Sequence, residues 1–309
     1  MPALEHLRNP AIDRGPLEAA RDPALIYESG IWRCFHTCAV RHGDRYDAFL
    51  DVATSQDMVT WSTPERLTTS SLNFSSPGNI IHANDQWVLC VQSYPIEPGQ
   101  VWGSEASRLW LMRSDDLVHW SEPEPLHPPG CQARWTNSHR QIDPYLVYHD
   151  NRYWCFYKTS GQLGLLVSDD LQNWQEASPD RPVLGAHQTP DGVTVENPCV
   201  IRTGDTFVLF FAPCRKGRGI GVAYSNNLLD WRDAHYLSFP DLPWADGGPT
   251  AAMVIDARPE FGHWLMAFHG DRHDDDHRHS AAIGLAWSDD LEHWHVPWPK
   301  TNLIQGLRP

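Results

Sequence analysis

The 309-residue chain is short of positive charge: 24 Lys and Arg stand against 39 Asp and Glu, a formal net charge of −15. That deficit disfavours nucleic acid and anionic membrane as partners, since either needs a basic face. No apolar run reaches the roughly 18 residues of a membrane-spanning helix. Residues 1–21 lack the apolar core of a secretory signal, which sets the expectation of a cytoplasmic protein. Long capped segments of helical period are also missing. No paired cysteine pattern exists: the seven Cys (34, 38, 90, 131, 155, 199, 214) are odd in number and scattered. Several lie inside apolar runs, such as Cys90 in WVLCV and Cys155 in YWCFY, so buried free thiols are expected. Cys34 and Cys38, in CFHTC, have neither redox nor zinc spacing. Free thiols without an export signal point to a reducing compartment. With 41% hydrophobic and 20% charged residues the chain is neither disordered nor a coiled coil, and its length permits one large domain or two modest ones. What is abundant is tryptophan, 15 residues of it.

Internal repetition accounts for part of that abundance. Five segments share the pattern Ser-x-Asp/Asn-Leu/Met-x-x-Trp: SQDMVTW ending at Trp61, SDDLVHW at Trp120, SDDLQNW at Trp174, SNNLLDW at Trp231 and SDDLEHW at Trp294. The Trp-to-Trp spacings are 59, 54, 57 and 63 residues. Upstream of each motif lie three short runs rich in Val, Ile, Phe, Tyr and Trp, for example PYLVYHD, YWCFYKT and LGLLVS before Trp174, and a polar fourth stretch follows each Trp. Such runs, bounded by Gly, Asp, Asn and Pro, are strand grammar. Four strands per unit at this period predict an all-β fold, a five-bladed β-propeller of four antiparallel strands per blade. The propeller is expected over residues 22–309, with 1–21 as an N-terminal extension. The motif's Ser and Asp should hydrogen-bond nearby backbone amides in the turn before the fourth strand. Its Leu and Trp should pack between blades.

In a propeller the first strand of each blade lines the axis, so its starting residues converge. Here those starts read Arg21-Asp22-Pro23, Ser76-Pro77-Gly78-Asn79, Ile142-Asp143-Pro144, Glu196-Asn197-Pro198 and Gly248-Pro249-Thr250. Three carry a carboxylate at what reads as the matching point: Asp22, Asp143 and Glu196. Pro fixes the entry angle and lacks a donor, and Asp or Asn before Pro is also ordinary turn chemistry. Three acids aimed at one cavity are costly unless used, and one among the others has its pKa raised. A protonated acid beside ionised partners is what glycoside hydrolysis requires.

These RDP, QIDP and ENP signatures, in this order across the blades, resemble those of the five-bladed propeller glycosidases, above all glycoside hydrolase family 43. The resemblance runs from about Asp22 to Leu303. It implies Asp22 as the general base that activates water, Glu196 as the general acid and Asp143 as the residue that tunes Glu196 and orients the sugar. Asn197 stands where many relatives carry Gly. Invertase-like family 32 shares the fold but uses the first-blade Asp as a nucleophile with retention. Its usual Asn-Asp-Pro-Asn and Glu-Cys motifs are not matched by RDPA and ENPC. The expected activity is an inverting, exo-acting glycosidase on small neutral glycans such as terminal arabinofuranosides or xylosides. The alternatives are a family-32-like retaining fructosidase, a phosphorylase or a non-catalytic carbohydrate-binding propeller. A phosphorylase needs cations for phosphate, and the blade starts offer only Arg21 nearby.

The remaining candidates come from placement. Trp102, in PGQVWGSEAS, and Trp135, in CQARWTNSHRQID, are candidate sugar platforms. Asn79 and Arg140 are placed near the channel mouth, and Arg278 on the fifth blade is a further substrate-binding candidate. The run HGDRHDDDHRH, residues 269–279, is too irregular for a zinc site. His269 ends the apolar strand WLMAFH. By resemblance, a fifth-blade His approaches a central ion or water cluster, so His269 is a candidate substrate and metal contact. Oxygen ligands would favour a structural calcium; no cofactor is required for the chemistry. The charge balance disfavours acidic glycans.

Overall fold

The computed structural model describes residues 4–15, 17–42, 45–100, 102–215, 219–272 and 280–297. Short apolar runs separated by tight turns can pair only with their neighbours, and each set forms one antiparallel meander. Blade one is Glu18–Glu28, Ile31–His42, Arg45–Ser55 and Glu65–Arg66. Blade two is Ile80–Ala83, Gln86–Gln92, Leu109–Ser114 and Glu124–Pro125. Blade three is Ile142–His149, Arg152–Thr159, Gln162–Ser168 and Gln175–Glu176. Blade four is Val195–Thr203, Thr206–Pro213, Gly221–Ser225 and Arg232–Tyr236. Blade five shows, among the described residues, the strands Gly248–Ala257, His263–Asp271 and Ala281–Ser288, with Trp287 bridging His295 on the outer side. The fold is the expected all-β, five-bladed propeller.

The outer edge of blade five is also paired by the other end of the chain. The Ala11 N–H donates to the Ile283 carbonyl at 2.7 Å, and the Ile283 N–H donates to the Ile12 carbonyl at 2.9 Å. The Asn9 side chain exchanges two 2.8 Å bonds with the Leu285 backbone. Leu4, Leu7 and Ile12 are buried with Leu25, Trp32, Leu265 and Ile283. The expected division at residue 22 is therefore corrected. The inner strand of blade one starts at Glu18, and residues 9–12 close the ring, because a blade edge left unpaired exposes backbone groups.

The repeated motif shapes one turn five times. Ser55 Oγ accepts the N–H groups of Asp57 and Met58 at 3.2 and 2.9 Å, while Asp57 Oδ1 accepts those of Val59 and Thr60 at 2.9 and 2.8 Å. The same bonds recur from Ser114, Ser168 and Ser288, and in blade four Ser225 Oγ accepts the Asn227 N–H while Asn227 Oδ1 accepts those of Leu229 and Asp230. The motif's Met58, Leu117, Leu171, Leu228 and Leu291 all take positive φ and are all buried. Burial of the side chain offsets a backbone conformation that branched and bulky residues avoid. Each motif Trp then meets the preceding blade. Trp120 packs edge-on to Phe35 at 5.4 Å, Trp231 to Phe156 at 5.9 Å and Trp294 to Phe210 at 6.1 Å. All seven cysteines are free, and only Cys214 is not fully buried.

Candidate active site

Each inner strand breaks its pairing at the same point. The register shifts lie between Arg21 and Ala24, Ile142 and Tyr145, Glu196 and Cys199, and Thr250 and Met253; in blade two Ser75 bridges Gln92 before pairing resumes at Ile80. The first residue of each bulge is left-handed: Asp22 (φ 47), Ser76 (46), Asp143 (53), Asn197 (50) and Ala251 (49). Asp and Asn tolerate that region better than most side chains, and bulges re-aim side chains beside sites. In the first four blades Pro follows, at 23, 77, 144 and 198, where no ladder donor is needed. Gly78 must be glycine, since a Cβ there would lie 1.7 Å from the Pro144 carbonyl oxygen.

This alignment corrects one expectation. Asp22 and Asp143 occupy equivalent bulge positions, but the blade-four equivalent is Asn197. Glu196 stands one residue earlier, on the position held by Arg21, Ser75, Ile142 and Thr250. Its longer side chain still reaches the same cleft as the two aspartates.

The second strands supply a matching ring. Opposite those pre-bulge residues lie Thr37, Gln92, Lys158, Ala212 and His269. Three of them accept the bulge N–H of the following blade: Thr37 Oγ1 from Ser76 at 2.7 Å, Gln92 Oε1 from Asp143 at 2.7 Å and His269 Nδ1 from Asp22 at 3.0 Å. Thr37 also donates to Asp22 Oδ2 at 3.0 Å. Lys158 has no acceptor to offer. The Asn197 N–H turns instead to Asp143 Oδ2 at 3.4 Å, and Lys158 Nζ donates to Glu196 Oε2 at 2.5 Å.

The carboxylates open into a cleft of about 660 Å³ that Arg21, Tyr94, Trp102, Arg140 and Lys158 also line. Behind them the four prolines narrow the channel to about 20 Å³. Asp143 is 8% exposed. Burial lifts its pKa to about 6, assisted by the charges of Glu196 and Asp22 and opposed by Lys158 and Arg140. Burial also raises Asp22, against the pull of Arg21 and the Thr37 hydroxyl. Lys158 is buried, which works against its charge, yet Glu196 and Asp143 hold it protonated and raise its pKa. Arg21 faces Asp271 at 3.6 Å, and the Arg140 guanidinium sits 5.2 Å from the centre of the Tyr94 ring.

Of the sequence candidates, Asp22, Asp143, Glu196, Trp102 and Arg140 meet in the cleft, Trp102 at 51% exposure. Asn79 does not. Its amide exchanges two 2.8 Å bonds with the Leu146 backbone, clamping blades two and three, and it lines the opposite mouth of the channel. Trp135 is also outside; it donates to the Ser178 carbonyl at 3.3 Å and packs against the core shared by blades two and three. His269, 1% exposed, lies beneath Asp22 and is not among the lining residues. Its Nδ1 is committed to a backbone amide, and the described residues form no group of three His, Cys, Asp or Glu around one point. Arg278 lies outside the described residues. Thr37, Gln92 and Lys158 were missed, although each ends an apolar second strand as His269 does (CFHT, VLCVQ, CFYK).

No family model matches the chain, and no curated protein matches it. Solved structures do. A glycoside hydrolase superposes with a TM-score of 0.69 at 16% identity, covering 94% of this chain and 92% of its own. A thermostable family-43 glycoside hydrolase gives 0.63 at 15%, covering 95% and 96%. A Cellvibrio cellulosa α-L-arabinanase complexed with arabinohexaose gives 0.63 at 17%, covering 91% and 96%. At such identities the likeness is one of fold.

Proposed function

We propose that the chain is a glycoside hydrolase of the family-43 type that removes terminal neutral sugars, arabinofuranosides or xylosides, from small glycans with inversion. The observation that carries this reading is the convergence of Asp22, Asp143 and Glu196 on one cleft, where burial raises both aspartates and Lys158 bonds to Glu196. Paired carboxyl groups in different protonation states are the requirement of glycosidic cleavage. The arabinanase and family-43 folds among the structural neighbours support it.

In the proposed reaction, Asp22 takes a proton from water as the water oxygen bonds to the anomeric carbon. The bond from that carbon to the leaving oxygen breaks as a carboxyl of the Asp143–Glu196 pair supplies a proton. Trp102 gives an apolar face for the ring. A cleft of about 660 Å³ suits a short glycan. The test is a screen of arabinofuranoside, xyloside, galactoside and fructoside substrates with wild type and Asp22→Asn. Release of a pentose by wild type, lost in the variant, is expected. Glycan binding with no release by wild type would make the protein a carbohydrate-binding propeller instead.

A further inference from the structure

One hairpin stands far above the ring of second-strand residues. Among the described residues, pairing of the second and third strands ends at Gln92 opposite Leu109 in blade two and at Phe211 opposite Gly221 in blade four. It runs one pair past Lys158 in blade three and two pairs past His269 in blade five. Blade one continues five pairs past Thr37 and Leu50, to His42 opposite Arg45. At about 3.4 Å per residue, this hairpin rises roughly 17 Å beyond Thr37, the residue bonded to Asp22. Its Ala39, Tyr46, Asp47 and Ala48 line the cleft. Two sets of contacts hold it in place. Outside the cleft, Asp51, 1% exposed, accepts Arg14 Nη2 at 3.1 Å and Arg66 Nε at 3.2 Å. Arg14 Nη2 also reaches Cys38 Sγ at 3.3 Å, and the Arg66 guanidinium lies 3.8 Å from the centre of the Phe49 ring. Charges satisfied around a buried acid rigidify the strands they join. Toward blade two, the Ala48 N–H donates to Asn73 Oδ1 and Asn73 Nδ2 donates to the Tyr94 carbonyl, both at 3.3 Å. Tyr94 belongs to the segment that also brings Ile96 and Trp102 to the cleft, so hairpin and segment form one continuous wall.

We propose that the blade-one hairpin, residues 38–49, is a fixed wall that closes the cleft on the side of blades one and two and confines cleavage to the ends of glycan chains. The proposal rests on the hydrolase reading and gives its terminal action a structural cause. To be cut at an internal bond, a chain must pass through the site and leave it in two directions. Behind the carboxylates the prolines narrow the channel to about 20 Å³, so no sugar continues that way. On the side of blades one and two the braced hairpin and the Tyr94 segment block the other path. The sugar held at the carboxylates is therefore a terminal one. Short branches and free chain ends fit this shape; the middle of a linear arabinan or xylan does not.

The test replaces residues 40–47 by Asn-Gly, a two-residue turn suited to joining the paired Ala39 and Ala48. Urea melts check that the shortened chain folds. Tyr46→Ala, which keeps the hairpin backbone, serves as the second variant. On linear arabinan and xylan, wild type is expected to release single sugars from the outset. The shortened chain should also produce oligosaccharides, raising the ratio of internal to terminal cleavage about tenfold or more. Tyr46→Ala should move that ratio in the same direction by less. In native gels containing the polymer, the shortened chain should bind at least about threefold more tightly than wild type, because a polymer has many internal segments and few ends. A ladder of oligosaccharides from wild type would overturn the proposal without any variant. So would purely terminal release and unchanged gel retardation in every variant that folds. No turnover of any glycan by wild type would remove the hydrolase reading. The gel comparison then decides alone whether the hairpin excludes internal segments, and equal retardation of wild type and variants would overturn the wall.

Discussion

His269 Nδ1 accepts the backbone N–H of Asp22 at 3.0 Å, so the last blade fixes the bulge that opens the first. The imidazole is thereby an acceptor at Nδ1, with its proton on Nε2 toward Asp271 Oδ1 at 3.6 Å. His269→Ala strips the acceptor from a buried N–H and frees the Asp22 bulge. Stability should fall by about 1–3 kcal/mol in urea melts. Turnover should fall about 10- to 100-fold through misplacement of Asp22. An unchanged turnover rate would show that the bond does not position the proposed base, Asp22.

The tryptophans divide between packing and binding. Trp174 is buried at the junction of blades two and three, and Trp174→Ala should cost about 3–5 kcal/mol in denaturant melts. Trp102 is half exposed on the cleft wall. Trp102→Ala should leave the melt within about 0.5 kcal/mol of wild type. It should raise KM roughly 3- to 10-fold if the ring stacks on a sugar.

Asp143 ties stability to pH in the sense opposite to a salt-bridged carboxylate. Its folded pKa, about 6, lies above the reference value of 3.8. Below pH 3.8 the group is protonated in both states and costs nothing; as pH rises toward 6 the unfolded chain ionises first, so folding is progressively disfavoured. By pH 8 the loss amounts to about 3 kcal/mol. Asp143→Asn should therefore be more stable than wild type at pH 8, and the difference should shrink toward pH 4. Urea melts of both proteins across that range check it. A variant less stable than wild type at pH 8 would contradict the cause given for the shift.

Five blades and their turns were legible in the sequence because the Ser-x-Asp/Asn-Leu/Met-x-x-Trp motif carries its own hydrogen bonds, local in sequence and so visible as a spacing. Asp22 and Asp143 were legible for a related reason: a left-handed residue before Pro selects Asp or Asn. The one-residue offset of Glu196 was not, because it depends on the pairing of Glu196 with Ala212 across the sheet. Lys158, Thr37 and Gln92 belong to the same class; each acts through the neighbouring blade. Asn79 misled because an amide near the axis can face the backbone of the next blade as readily as the cleft. The role of residues 9–12 was hidden by distance, since their partners Ile283 and Leu285 lie at the far end of the chain.

The most direct test of the account is proton NMR of the sugar first released by wild-type protein from an arabinofuranoside or xyloside. The account predicts release of the inverted anomer, followed by slow mutarotation, and no release by Asp22→Asn. Release of the retained anomer, or undiminished release by Asp22→Asn, would contradict the role given to Asp22.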